Sequence, residues 1–202
     1  MTHVRTKLLV ATGAVLVLCL VAGVLHALRL PPFEKKQGEI KASEVCRTLG
    51  TSSARSVAAL DRVLPAKSSY TFHDELPDPR RDDLDDSYYS TCFVGGDGKQ
   101  LMVASAQMLE YEKADDWVTE VVEQFAPASA LTPFDAGDKA VATDKVAAIY
   151  VPCLARPAAH LSVVVQLKRP GDAPAAERRD ALIALARNTA LYAQGNARCD
   201  DH

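Results

Sequence analysis

The longest apolar pattern of the chain is an unbroken run from Leu8 to Leu28. No position between Lys7 and Arg29 is charged, and the 21 residues of the run contain no proline. An α-helix of that length spans roughly 30 Å, which matches the hydrocarbon core of a bilayer. The run therefore predicts one transmembrane anchor. A short basic tail over residues 1–7 precedes it, and a charged stalk over residues 29–41 follows it.

Helical and alternating patterns then follow one another up to residue 200. Helical spacing of apolar residues predicts helices over residues 44–50, 53–64, 114–125 and 173–194. Alternating or β-rich runs predict strands over residues 68–72, on both sides of the turn Gly95–Gly98, and over 145–154 and 159–168. The order is helices, hairpin, helix, hairpin, helix. It predicts an α+β domain over residues 42–200, in which helices pack on an antiparallel sheet.

The sequence also predicts where two of these helices end and which residues two of them bury. Gly50 is expected to end the first helix and Gly195 the last one. In the helix over residues 114–125, the expected stripe comprises Trp117, Val121 and Phe125 beside Val118 and Val122. In the last helix, the residues expected to face inward are Leu182, Leu185, Ala186 and Thr189.

Composition and charge narrow the class of protein. The chain has 202 residues, 48% hydrophobic and 24% charged, which is typical of a globular protein. All 26 acidic residues and 20 of the 23 basic residues lie beyond Arg29, so this part carries a net charge of −6. Nucleic acid is excluded as a partner, because no basic stripe exists to neutralise phosphates.

The soluble part contains four cysteines, Cys46, Cys92, Cys153 and Cys199. They form no C-x-x-C motif and have no histidine within a few residues, which argues against a zinc site. Widely spaced cysteines behind a membrane segment are typical of two disulfides in an oxidising compartment. The predicted elements favour the pairs Cys46–Cys92 and Cys153–Cys199, while the other two pairings stay open.

The N-terminal run leaves two alternatives to a retained anchor. Lipidation of Cys19 fits poorly, because the bulky Leu18 precedes it and the apolar run continues after it. Cleavage of a signal peptide would release a secreted protein, but the exits Val21–Gly23 and Leu25–Ala27 are poor. Basic residues flank both ends of the run and do not decide its orientation. The cysteines therefore favour the extracytoplasmic side of the cell membrane, and four buried thiols in a cytosolic domain are the alternative.

A resemblance to a known family rests on the cysteines and one longer motif. Cys46 is in an early helix, Cys92 precedes a Gly-rich turn, and "FDAGDKAVATDKVAAIYVPC" is followed by a strand and a helix. In these features the stretch Ala42–Cys199 resembles an actinobacterial family of envelope lipoproteins and anchored proteins of unknown function. The resemblance implies a Mog1/PsbP-like α/β/α sandwich and no activity. The chain departs from the family by lacking a lipobox and by having Phe93 where tryptophan is usual.

Motifs for chemistry are few. "GGDGK" lacks the spacing of a phosphate loop and reads as a hairpin turn. The acidic stretch from His73 to Asp86 is predicted to be a loop, and it lacks the spacing of an EF-hand calcium site. No G-x-S-x-G or H-E-x-x-H occurs. The histidines that could serve a catalyst are His73 and His160, and His160 is expected at an exposed edge position.

Two functions follow from this sequence. The favoured one is a non-catalytic module that binds an envelope protein or peptide through its sheet or a helix–sheet groove, with Leu8 to Leu28 in the lipid bilayer. The alternative is a small hydrolase that uses His73 or His160. No residue is assigned as a catalytic group, a cofactor ligand or a metal ligand.

Overall fold

The computed structural model describes residues 38–50, 53–76, 88–110, 112–155 and 158–199. The chain from Gly38 onward forms one compact unit. Gly38 donates its N–H to the Lys67 carbonyl oxygen, and Ile40 is buried. The folded unit thus begins inside the segment 29–41 that the sequence assigns to a stalk. None of the described helices is long and apolar enough to cross a membrane. The predicted anchor Leu8–Leu28 lies outside the described residues.

One antiparallel sheet organises the domain, as the α+β prediction requires. Its seven strands follow the order β1-β2-β3-β7-β6-β5-β4. The strands are β1 (Tyr70–Glu75), β2 (Tyr89–Gly96), β3 (Lys99–Glu110), β4 (Thr132–Pro133), β5 (Lys139–Ala142), β6 (Val146–Pro152) and β7 (Ala159–Leu167). Strand β7 is central, because it pairs with β3 on one side and with β6 on the other. The predicted strand pair at the end of the chain is therefore confirmed.

The hairpin between β2 and β3 is confirmed with a tighter turn than predicted. Gly95 and Gly96 belong to β2, and only Asp97 and Gly98 form the turn, with φ angles of 49° and 73°. A two-residue hairpin turn with positive φ at both positions matches the twist of its strands, and Asp-Gly is a favoured pair for it.

Two helices cover one side of the sheet, which we call the inner face. They are α1 (Ser53–Val63) and α3 (Ala175–Asn196), and their apolar sides form the main core with alternate residues of the strands. The predicted inward residues of α3 are all buried, namely Leu182, Leu185, Ala186 and Thr189. Alanines fill much of the rest of its buried side, and such small side chains allow close packing on β6 and β7.

A short helix covers part of the opposite side, the outer face. Helix α2 (Ala114–Trp117) continues as a π-helical turn over Val118–Val122 and buries Trp117 against β5, β6 and β7. The predicted stripe is only partly right, because Phe125 is exposed. The π turn ends at Val122, so Phe125 lies in the turn beyond the helix and not on its buried stripe.

Three predicted boundaries are wrong for identifiable reasons. Residues 44–50 contain only a 3-10 turn, Arg47–Leu49, because the backbone at Cys46 is extended. Strand β1 continues through His73 to Glu75, where the sequence predicted a loop, because pairing with β2 continues to that point. Helix α3 passes through Gly195, since the positive φ lies later, at Arg198. The short strands β4 and β5 were not predicted.

Both disulfides have the pairing that the sequence favoured. The Cα atoms of Cys46 and Cys92 are 5.9 Å apart, and those of Cys153 and Cys199 are 4.5 Å apart. All four residues are buried. The first bond joins the 3-10 turn to β2, and the second joins the end of β6 to the segment after α3. Each disulfide therefore ties a peripheral segment to the sheet.

Candidate functional site

His160, one of the two histidines that the sequence singled out, lies in a buried aromatic cluster on the outer face. Its ring is fully buried on the central strand β7, so the expectation of an exposed edge position is wrong. The imidazole stacks on Tyr150, with ring centroids 4.1 Å apart and planes 15° apart. Trp117 and the same Tyr150 form a T-shaped pair, with ring centroids 5.7 Å apart and planes 71° apart. The stacked rings leave the imidazole no face toward solvent.

Two hydrogen bonds fix the aromatic rings of this cluster. The Trp117 Nε1–H donates to the Ser162 Oγ at 2.8 Å, and the Tyr150 hydroxyl donates to the Glu112 carbonyl oxygen at 2.9 Å. Buried Trp and Tyr side chains usually find such partners, because an unsatisfied polar atom away from water is costly. Ser162 thereby holds α2 on the sheet.

The hydrogen-bonding groups of the His160 imidazole are less well paired than those of Trp117 and Tyr150. Neither ring nitrogen has a hydrogen-bond partner among the described residues, and the Glu112 Oε1 is 3.6 Å from Nε2. Burial lowers the pKa of His160, and the nearby Glu110 backbone opposes that shift without outweighing it. Burial also raises the pKa of Glu112, with Glu120 and Asp116 adding to the effect. The ring is therefore neutral at pH 7, and its burial keeps it from any dissolved substrate in this conformation.

This burial predicts a pH dependence of stability. The pKa of His160 is lower in the folded protein than its ordinary value near 6.5 in an unfolded chain. The unfolded chain therefore takes up a proton first as the pH falls. The free energy of unfolding does not depend on His160 well above about pH 6.5, and protonation of the unfolded chain lowers it as the pH drops below that value. We expect His160→Phe, which keeps the stack on Tyr150, to lose less stability between pH 7.5 and pH 5.5 than the wild type. Urea unfolding at the two pH values measures the difference.

His73→Phe is the matched control, because it removes an exposed imidazole from β1. That variant should follow the wild type at both pH values. Equal losses in the wild type and in His160→Phe would contradict the assignment of the effect to His160.

His73 belongs to a different part of the outer face. Its ring is exposed and lies 6.4 Å from Phe93. In the strand register His73 aligns with Val103 of β3, whereas His160 aligns with Leu109. Six residues along a strand correspond to roughly 20 Å. The structure therefore does not bring the two histidines into one site.

Asp74 supports the first disulfide rather than a metal ion. Its carboxylate accepts the backbone N–H of Arg47 at 2.6 Å and that of Thr48 at 3.3 Å. The carboxylate and the sulfurs of Cys46 and Cys92 form a compact group of potential ligands. The two sulfurs are bonded to each other, however, so neither is a thiolate that could bind a metal. Of the acidic stretch 73–86, residues 77–86 lie outside the described residues.

Part of the outer face has no covering helix among the described residues. The cluster around Trp117 covers β5, β6 and β7 only. On β1, β2 and β3, side chains that point to the same side stay in contact with solvent, including His73, Tyr89 and Gln107. Tyr89 is 46% exposed. We call this surface the open sheet face.

A second recessed surface lies on the other side of the molecule, between α1 and α3. It is a cavity of about 330 Å³, open to solvent on one side, which we call the helical groove. Its lining includes Gly50, Arg55, Asn188, Leu191, Tyr192 and Asn196. Burial raises the pKa of Tyr192, and the Asp74 carboxylate adds to this effect while Arg47 opposes it. The phenol is therefore neutral at physiological pH.

Gly50 shapes one end of the groove. Its φ angle is +98°, and a Cβ atom there would lie 3.0 Å from the Cβ of Asn188. Glycine thus permits both the left-handed backbone and the close approach to α3. Asn188 in turn donates its amide N–H to the Ser56 hydroxyl at 3.3 Å, which links α3 to α1.

The sequence predicts none of the groove residues as a ligand contact. One signal was available, because Leu191 lies off the buried stripe of α3 and is 69% exposed. The other lining residues come from distant parts of the chain, and their proximity depends on the packing of α3 against α1.

No family model, curated protein or solved structure matches the chain.

Proposed function

We propose that the chain is a membrane-anchored domain on the extracytoplasmic side of the cell membrane that binds an envelope protein or peptide and does not catalyse a reaction. Two disulfides support the location, because such bonds persist in oxidising compartments. The run Leu8–Leu28 supports the anchor. Helices on both faces of the antiparallel sheet are in keeping with a Mog1/PsbP-like α/β/α sandwich.

One contrast supports binding over catalysis. Two groups that could do chemistry are committed to the fold, because the buried His160 is shielded in its stack and the half-buried Asp74 holds the 3-10 turn. The helical groove instead presents a cation, amides and an exposed leucine to solvent. A concave surface that combines apolar contact with a few polar groups is typical of ligand sites.

Photo-crosslinking in intact cells tests this proposal. A photoreactive phenylalanine analogue replaces Leu191 in the helical groove, Tyr89 on the open sheet face, or the exposed Ser129 as a control. We expect a discrete adduct with one envelope protein from position 191 or 89, identified by peptide mass spectrometry, and none from position 129. The same weak pattern from all three positions would contradict a binding role.

A further inference from the structure

We propose that the helical groove binds the free C-terminal end of a peptide that finishes in an apolar residue. This inference rests on the binding function proposed above and names the chemical class of the partner. Three properties of the groove match such a ligand: a cation without an ion-pair partner among the described residues, amide oxygens that can accept hydrogen bonds, and an apolar wall.

The cation is Arg55. Among the described residues, its guanidinium forms no hydrogen bond or ion pair, although the charge beyond Arg29 is −6 overall. Two arginines of α3 are engaged instead, since Arg178 contacts Asp144 and Arg187 donates to the Asp135 carbonyl oxygen. A planar guanidinium matches a carboxylate, to which it can donate two parallel hydrogen bonds. An anionic group is therefore the complement of this end of the groove.

The acceptors come from two asparagines of α3. Asn188 and Asn196 both use their amide N–H groups, toward the Ser56 hydroxyl and the Tyr192 carbonyl oxygen respectively. Each side chain keeps a carbonyl oxygen, which accepts hydrogen bonds and does not donate them. Backbone N–H groups of a peptide are donors of the matching kind. A simple carboxylic acid would supply the anion but no such donors.

The apolar wall consists of Leu191 and the ring of Tyr192. Leu191 is 69% exposed, so an apolar side chain placed against it would remove hydrocarbon from water. A volume of about 330 Å³ lies at the lower end of the range of ligand pockets, roughly 300–1,000 Å³. The groove therefore accommodates the end of a chain, and its open side lets the rest of a peptide leave. Capture of a terminal carboxylate is a known mode of peptide recognition.

Binding of two peptide pools to the full-length chain in detergent tests this inference. The peptides are attached by their N-termini, end in Leu, Val or Phe after varied positions, and carry either a free carboxylate or a carboxamide. We expect the carboxylate pool to bind about tenfold more tightly, the difference that one well-placed ionic contact provides. Arg55→Gln should abolish that preference. Arg62→Gln, which removes another exposed arginine of α1, should keep it.

A second pair of variants tests the apolar wall. Leu191→Ser should weaken binding of the carboxylate pool, and Ala184→Ser, at an exposed position of the same helix, should not. Equal binding of the two pools, or no difference between Arg55→Gln and Arg62→Gln, would overturn the inference. Binding of decanoate, a simple carboxylic acid without peptide N–H groups, would also overturn it. In each of these cases, a photo-crosslinked adduct at position 89 would still support the broader binding function.

Discussion

Replacing both Cys153 and Cys199 with alanine is expected to lower the free energy of unfolding by about 4 kcal/mol. The bond closes a loop with a sequence separation of 46 residues, and the chain-entropy model gives that magnitude for a loop of this length. The bond also ties the segment after α3 to the end of β6, where the Ala155 N–H donates to the Cys199 carbonyl oxygen. Without it, the C-terminal segment is expected to fray.

The pair Cys46 and Cys92 provides an internal comparison, because its sequence separation is also 46 residues. Its double alanine variant should lose a similar amount, whereas Cys19→Ala should lose nothing. Urea unfolding followed by circular dichroism measures all three variants, and treatment of the wild type with a reductant should reproduce the combined loss. A reductant that leaves the unfolding midpoint unchanged would contradict the structural role of both disulfides.

Trp117→Ala is the other variant with a large expected effect, a loss of about 3–5 kcal/mol. The indole is fully buried, contacts Tyr150 edge-on and donates to Ser162. It is also the one buried residue of α2. Truncation should therefore leave a cavity, an unsatisfied Ser162 hydroxyl and a loosened α2.

Two further variants separate packing from hydrogen bonding at this position. Trp117→Phe keeps an aromatic ring and should cost about 1–2 kcal/mol through the unpaired Ser162 hydroxyl. Phe125→Ala, at an exposed position beyond the π turn, should change stability by no more than about 0.5 kcal/mol. Trp117 is the single tryptophan of the chain, so its fluorescence follows unfolding of the wild type. If Trp117→Ala lost less stability than Phe125→Ala, the packing of α2 on the sheet would be refuted.

Patterns that depend on local spacing predicted the fold well. The apolar stripes of α1 and α3, the Asp-Gly turn and the β-rich runs of β6 and β7 each reflect short-range geometry. Predictions failed where distant segments decide the structure. Residues 44–50 contain only the 3-10 turn Arg47–Leu49, whose first two N–H groups are accepted by Asp74, far along the chain. His160 is buried because the Tyr150 ring of the neighbouring strand β6 stacks on it, a contact that the pattern within one strand does not reveal.

The two candidate surfaces were even less accessible to sequence reasoning. The helical groove combines Gly50 and Arg55 with residues 188–196, and only the packing of α1 on α3 brings them together. The open sheet face is the part that the cluster around Trp117 leaves uncovered, because that cluster packs only on β5, β6 and β7. That the four cysteines form two disulfides was predictable for a different reason, since an even number of widely spaced cysteines is typical of disulfides.

The measurement that tests the central claim most directly is the intact mass of the protein extracted from membranes, alkylated before and after reduction. An extracytoplasmic domain with two disulfides and a retained anchor predicts one modified thiol before reduction, that of Cys19, and five afterwards. Five thiols modified without reduction would contradict the oxidised state of Cys46, Cys92, Cys153 and Cys199. That result would also contradict the extracytoplasmic location on which the proposed function depends.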